Sequence, residues 1–350
     1  MFKFKTTIVI LILSLTSCFL YGAKKQRPTP SDIIKVNGPY NRDYFVLLPK
    51  NYDPNKRYWL FVTVHGYTGN GMVVQKQRNF PYRNDCIIVG PSFPQTESEG
   101  YYQMLGGNSD KQLLKIVDEL KKKYKLHDRF LLYGFSGGSQ FSHRFTMKNH
   151  KFVLACSAHS GGSWGEPNTD ANYLPFAVSC GEMDTKVSRG APADRLTLYR
   201  DFYDKIRKDN FFYTAKVRPS EAHAPGPWVK EKTAELFAIA TTGLFPKQKK
   251  ELDSKIKNIK QLIKEKEYKK AKLNILNLKA FKPSKLKYDT KPIEDTDKQR
   301  REKFSEKINQ YGYTTNSNAE HYMSERLQYY LTNIVIPSLT NELNNPKNKQ

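Results

Sequence analysis

Gly134-Phe135-Ser136-Gly137-Gly138 is the segment of this chain best suited to nucleophilic chemistry. The apolar run Phe130-Leu131-Leu132-Tyr133 precedes it, and Ser139 to Phe145 follows at helical spacing. A strand that reverses sharply into a helix presents the serine hydroxyl at the turn, and the flanking Gly134 and Gly138 let strand and helix approach closely. A serine hydroxyl is a weak nucleophile at neutral pH. It needs a neutral imidazole as base and a carboxylate to hold that imidazole in the right tautomer.

Both partners follow in order. The apolar run Phe176 to Cys180 ends in Gly181-Glu182-Met183-Asp184, and the run Phe211 to Val217 ends in Pro219-Ser220-Glu221-Ala222-His223-Ala224-Pro225. Asp184 is the expected acid, ahead of Glu182, Asp194 and Asp201. His223 is the expected base, ahead of His159, which precedes the acid and reads as pocket wall or supporting residue. His65 is expected in a structural or oxyanion-loop role, and His127, His143, His150 and His321 in surface or packing roles.

The elements that must position these residues are strands and helices in alternation. Strand-like runs occur at Tyr44–Leu48, Trp59–Val64, Cys86–Val89, Phe130–Tyr133, Phe152–Cys156, Phe176–Cys180 and Phe211–Val217. Several are apolar on both faces, as parallel strands inside a sheet must be. Helical patterns fall at Asp110–Lys123, Ala193–Lys208 and Trp228–Ile239. The fold class expected is therefore α/β, a mostly parallel doubly wound sheet.

The stretch from Tyr44 to Phe245 resembles the α/β-hydrolase superfamily. Its nearer likeness is to the polyhydroxyalkanoate-depolymerase-like and feruloyl or acetylxylan esterase-like branch of secreted serine esterases. The residues that carry the likeness are His65-Gly66-Tyr67-Thr68-Gly69-Asn70, the Ser136 segment, Gly181 to Asp184, and His223. The resemblance implies an oxyanion hole formed by the N–H groups of Gly137 and Tyr67. It also implies an acyl-enzyme mechanism on an ester substrate, on a polysaccharide or in a polyester, with no metal and no cofactor. The alternatives are a peptidase of the prolyl-oligopeptidase type and a non-catalytic surface-binding lipoprotein of the same fold. Tyr101, Tyr102, Trp164 and Trp228 are candidate pocket aromatics.

Residues 1–23 read as a signal peptide: a basic start, a short apolar run, and Leu15-Thr16-Ser17-Cys18, which resembles a lipobox with Cys18 as the lipidated residue. An exported protein is expected, anchored to a bacterial membrane through Cys18 or otherwise periplasmic or secreted. Cys86, Cys156 and Cys180 sit in apolar runs and read as small buried hydrophobes, with a Cys156–Cys180 bridge as the alternative.

Residues 30–245 are the expected catalytic domain and 246–350 a basic helical appendage. Helices are expected over Leu252–Ile263, Tyr268–Leu276, Asp297–Ile308 and Ala319–Leu339, with a connector over Phe281–Thr296. The whole chain has 58 Lys and Arg against 34 Asp and Glu, a formal net charge of +24. No nucleic-acid-binding module accompanies that charge. The partners it suits are anionic headgroups or acidic polysaccharide.

Overall fold

The computed structural model describes residues 32–94, 100–188, 190–291, 293 and 306–345. The expected signal segment and Cys18 lie outside the described residues.

Eight strands form one sheet: β1 (Ile33–Gly38), β2 (Arg42–Leu47), β3 (Tyr58–Val64), β4 (Cys86–Pro91), β5 (Leu126–Phe135), β6 (Val153–His159), β7 (Phe176–Gly181) and β8 (Tyr213–Arg218). Their spatial order is β1-β2-β4-β3-β5-β6-β7-β8. β2 runs antiparallel to β1 and β4, and the pairs from β4 through β3 to β8 are all parallel. β3, β4, β6 and β7 are buried along their whole length, which explains why they read as continuous apolar runs.

Helices α1 (Ser109–Lys123), α2 (Gly137–Asn149), α3 (Arg195–Lys208) and α4 (Pro227–Thr242) complete the alternation. Apolar side chains divide between the two faces of the sheet. One core gathers Leu113, Phe141 and Phe202, and the other gathers Phe61, Leu131 and Phe237. Each expected strand and helix of this part is present, with shifted ends. β1 is additional: only Ile33 of its six residues is buried, so its sequence carries almost no core signal. Cys86, Cys156 and Cys180 are free and buried. Burial pushes the Cys156 and Cys180 thiols up to about 12.

The C-terminal region forms α5 (Pro246–Lys264), α6 (Tyr268–Asn277), α7 (Ser317–Tyr330) and α8 (Ile336–Asn344). A small core of Leu252, Ile259, Ile263, Ala271, Ile275 and Leu339 joins them. The single helix expected over 319–339 is interrupted by a π-helical turn at Leu331–Val335, ahead of Pro337, which has no N–H to continue the α-helical ladder. The helix expected over 297–308 falls mostly outside the described residues. Its described end differs: Ile308 lies in β10 (Ile308–Asn309), paired with β9 (Tyr288–Asp289).

This region packs directly on the sheet. Thr314 bridges to Tyr213 of the edge strand β8, Tyr311 and Tyr313 lie against Phe245, and the Tyr322 hydroxyl donates to the Leu154 carbonyl. The buried Glu306 carboxylate accepts hydrogen bonds from the Tyr203 and Tyr213 hydroxyls and lies 3.3 Å from Arg207 Nε.

Candidate active site at the carboxyl edge of the sheet

Ser136 stands between β5 and α2 with φ 58° and ψ −122°, a backbone region that L-residues rarely occupy. Packing imposes it. A Cβ on Gly134 would lie 2.1 Å from the Gly138 carbonyl oxygen, and one on Gly138 would lie 2.3 Å from that of Val64. Strand and helix touch backbone to backbone, so both positions require glycine. The Ser136 N–H donates to the His159 carbonyl at 2.9 Å, which ties the turn to β6.

Asp184 lies in the turn after β7, its side chain 1% exposed, and its Oδ2 is 2.7 Å from Nδ1 of His223. That contact leaves Nε2 as the free nitrogen of the ring. The ring of Phe135, the residue before the serine, lies 5.0 Å from the imidazole centroid to centroid. The pair therefore sits over the β5–α2 turn. Arg195 Nη1 lies 3.4 Å from the second Asp184 oxygen.

Two of the other acids considered are engaged elsewhere, and Asp201 lies on α3, away from the turn after β7. Glu182 accepts the Ser220 N–H, and Asp194 caps α3 through the Leu196 and Thr197 N–H groups.

The loop carrying His223 is held from below by Arg218, whose side chain is fully buried. Its guanidinium donates to the Glu221 carboxylate, to the Ala224 carbonyl at 2.6 Å and to Ser160 Oγ at 2.9 Å. The Met183 N–H donates to the Glu221 carbonyl, joining the acid loop to the histidine loop. Sequence reasoning missed Arg218. Its one signal is a cation ending an otherwise apolar strand directly before the histidine loop.

After β3, the Gly69 N–H closes a turn on the Gly66 carbonyl at 2.9 Å. A Cβ placed on Gly137 would lie 2.9 Å from the Tyr67 nitrogen, so the Tyr67 amide sits beside the start of α2. Gly137 opens that helix, where N–H groups have no partner within the helix. The His65 ring braces this turn: Nδ1–H donates to the Gly66 carbonyl at 2.7 Å, and Nε2 accepts the Phe93 N–H at 3.1 Å. Burial lowers the His65 pKa to about 4, consistent with a neutral structural ring.

Strand order, the single antiparallel crossover through β2, and a strained serine between β5 and α2 together decide the fold. It is an α/β-hydrolase fold. No family profile and no curated protein matches the chain. Solved structures similar to it include a ferulic acid esterase at 17% identity, with 59% of this chain and 96% of that one covered and a TM-score of 0.49. The CE1 ferulic acid esterase of Anaeromyces mucronatus, in complex with ferulic acid, aligns at 16% identity over 63% of this chain and 93% of that one, TM-score 0.45. A thermostable esterase aligns at 17% identity over 59% of this chain, TM-score 0.46, and the match spans 63% of that protein's length.

Within the α/β-hydrolase frame, two aromatic expectations are corrected. Tyr102 is fully buried and donates its hydroxyl to the His65 carbonyl, so it braces the turn and does not face a ligand. Trp164 stacks on Phe202 at 4.5 Å and packs against the core. Trp228 is partly buried, edge-on to His159. Tyr101 lies 6.4 Å from the Tyr67 ring. His159 is fully buried between the Ser157 and Ser179 hydroxyls, which makes it a brace beneath the turn and not a wall of the pocket. Tyr67, Met104, Met183 and Val187 are large apolar side chains left exposed on loops at the carboxyl edges of β3, β4 and β7.

Proposed function

We propose that the chain is a serine carboxylic-ester hydrolase working through an acyl-enzyme. The observation that carries this reading is the 2.7 Å contact between His223 and the buried Asp184, on the loops after β8 and β7 at the same sheet edge as the strained Ser136. His223 Nε2 takes the Ser136 proton as Oγ adds to the ester carbonyl. The N–H groups of Gly137 and Tyr67 hold the oxygen that becomes negative. As the carbon–alkoxide bond breaks, the imidazolium returns its proton to the leaving alcohol. Water then repeats the sequence on the acyl-serine, releasing the acid and regenerating the hydroxyl. Asp184 holds Nδ1–H throughout and stabilises the cationic ring.

The exposed apolar side chains Tyr67, Met104, Met183 and Val187, on segments that follow β3, β4 and β7, favour an ester whose acyl or alcohol part is aromatic or extended, such as a feruloyl group on polysaccharide or a polyester chain, over a bare acetyl group. The N-terminal sequence supports export, with Cys18 as the lipid attachment point. A short-chain nitrophenyl ester is the direct test: the wild-type protein hydrolyses it and Ser136→Ala does not. An inert wild type, or a Ser136→Ala variant with undiminished turnover, excludes the mechanism. Acetyl, feruloyl and hydroxyalkanoate esters compared side by side identify the acyl group.

A further inference from the structure

The hairpin of α5 and α6 stands apart from the site in both place and charge. Residues 246–282 contain thirteen lysines and four acidic residues. α6 is amphipathic in an unusual sense. Ala271 and Ile275 face inward, and Leu278 follows them into the small C-terminal core. On the opposite side, Leu273 is 59% exposed and Leu276 50% exposed. At 3.6 residues per turn these leucines share a face with Lys269 and Ala280. Lys272 and Lys279, both exposed, border it. Lys270 pairs with Glu267, whereas among the described residues no carboxylate pairs with Lys269, Lys272 or Lys279.

We propose that this face of α6 docks on an anionic lipid surface. A soluble polyanion would satisfy the lysines but offers nothing to two exposed leucines. The boundary of a bilayer offers both: headgroup charge for the lysines and an acyl layer for Leu273 and Leu276. Such a surface adds a second attachment to any N-terminal lipid and orients the protein on the membrane. The inference is independent of the esterase reading, since binding is measured without turnover.

The full chain is floated with vesicles of phosphatidylcholine alone and of phosphatidylcholine mixed with anionic phosphatidylglycerol. Its N-terminal apolar segment is common to both, so the difference between them reports electrostatic binding, which the lysine variant then assigns to this face. Binding to the anionic vesicles is expected to be about 100-fold tighter, from roughly fivefold per lysine. A triple variant, K269E/K272E/K279E, should fall to the phosphatidylcholine level. L273S/L276S should lose about tenfold in salt high enough to screen the lysines. Thermal midpoints of both variants should match wild type, since all five side chains are exposed. Equal binding of wild type to the two vesicle types overturns the proposal. So does unchanged vesicle binding by either variant, or a wild type that binds an acidic polysaccharide column but not anionic vesicles.

Discussion

The buried guanidinium of Arg218 donates to the Ala224 carbonyl at 2.6 Å, bridging the base of the loop that carries His223. The same group reaches Glu221 in that loop and Ser160 at the end of β6, so one side chain fixes the histidine loop relative to the strand beneath Ser136. Arg218 touches no reacting atom; it is a positioning residue. A displacement of about 1 Å in a catalytic group can cost roughly 100-fold in rate. Arg218→Met is expected to lower kcat by about 10- to 100-fold with KM nearly unchanged, and Arg218→Lys to recover part of the loss. A soluble, folded Arg218→Met enzyme with wild-type kcat would remove the residue from this role.

In the proposed mechanism Asp184 supplies charge and tautomer control and transfers no proton. In Asp184→Asn the amide still fits the site but loses the negative charge that favours Nδ1–H and the imidazolium. A fall of about 10⁴ in kcat is expected. Glu182→Gln serves as the control, since Glu182 accepts the Ser220 N–H and does not contact His223 among the described residues, and should stay within a fewfold of wild type. The decisive measurement is initial rate at saturating ester. Retention of more than a tenth of the activity by Asp184→Asn would return the acid role to another carboxylate.

The placement of the candidate residues was legible because each follows a strand that announces itself by local composition. Ser136, Asp184 and His223 stand just beyond the apolar runs of β5, β7 and β8, and chain order did the rest. Side-chain direction was not legible. Tyr102 and Trp164 lie on segments that follow strands ending at this edge, yet Tyr102 turns under the loop after β3 and Trp164 stacks on Phe202. Proximity to a sheet edge says nothing about which way a ring faces. The packing of Tyr313 and Thr314 against β8 was also hidden, because residues about a hundred positions apart share no local pattern.

Acid should destabilise the fold before it protonates most carboxylates. His65 is held at about 4 and His127 at about 3, and His143 and His159 lie well below the ordinary value of 6.5, in each case chiefly because burial disfavours the charged ring. Their pKa values are lower folded than unfolded, so the unfolded chain binds more protons below pH 6.5. The contribution to stability is complete above about 6.5 and is lost as pH falls toward 4. Each such ring accounts for at most ~1.4 kcal/mol per pH unit in that window. Glu306 and Glu235, whose carboxyls burial pushes up from 4.5, act in the opposite sense and are outnumbered. The thermal midpoint should decline steadily from pH 6.5 to 4.5. His127→Phe, which keeps a ring stacked on Trp59, should decline less steeply. A midpoint level across that range contradicts the assignment of neutral buried rings.

Glu306 latches the C-terminal region to the edge of the sheet. Its carboxylate is 7% exposed and gathers the Tyr203 hydroxyl of α3, the Tyr213 hydroxyl of β8 and the Arg207 guanidinium. Glu306→Ala leaves two buried hydroxyls without their acceptor and removes one partner of the Arg207 guanidinium. Removing one member of a buried, hydrogen-bonded charge pair costs about 3–5 kcal/mol. The Arg207 side chain keeps some water contact, so the lower end applies here. Glu306→Gln retains an acceptor oxygen for one tyrosine and should lose less. Tyr203→Phe removes a single donor and should cost roughly 1 kcal/mol. Denaturant midpoints order these variants directly: wild type, Tyr203→Phe, Glu306→Gln, Glu306→Ala. Because Ser136, Asp184 and His223 lie on loops at the opposite end of the strand from Tyr213, turnover per folded molecule should be unaffected. A Glu306→Ala protein as stable as wild type would show that the apolar contacts of Tyr311 and Tyr313 with Phe245 hold this region unaided.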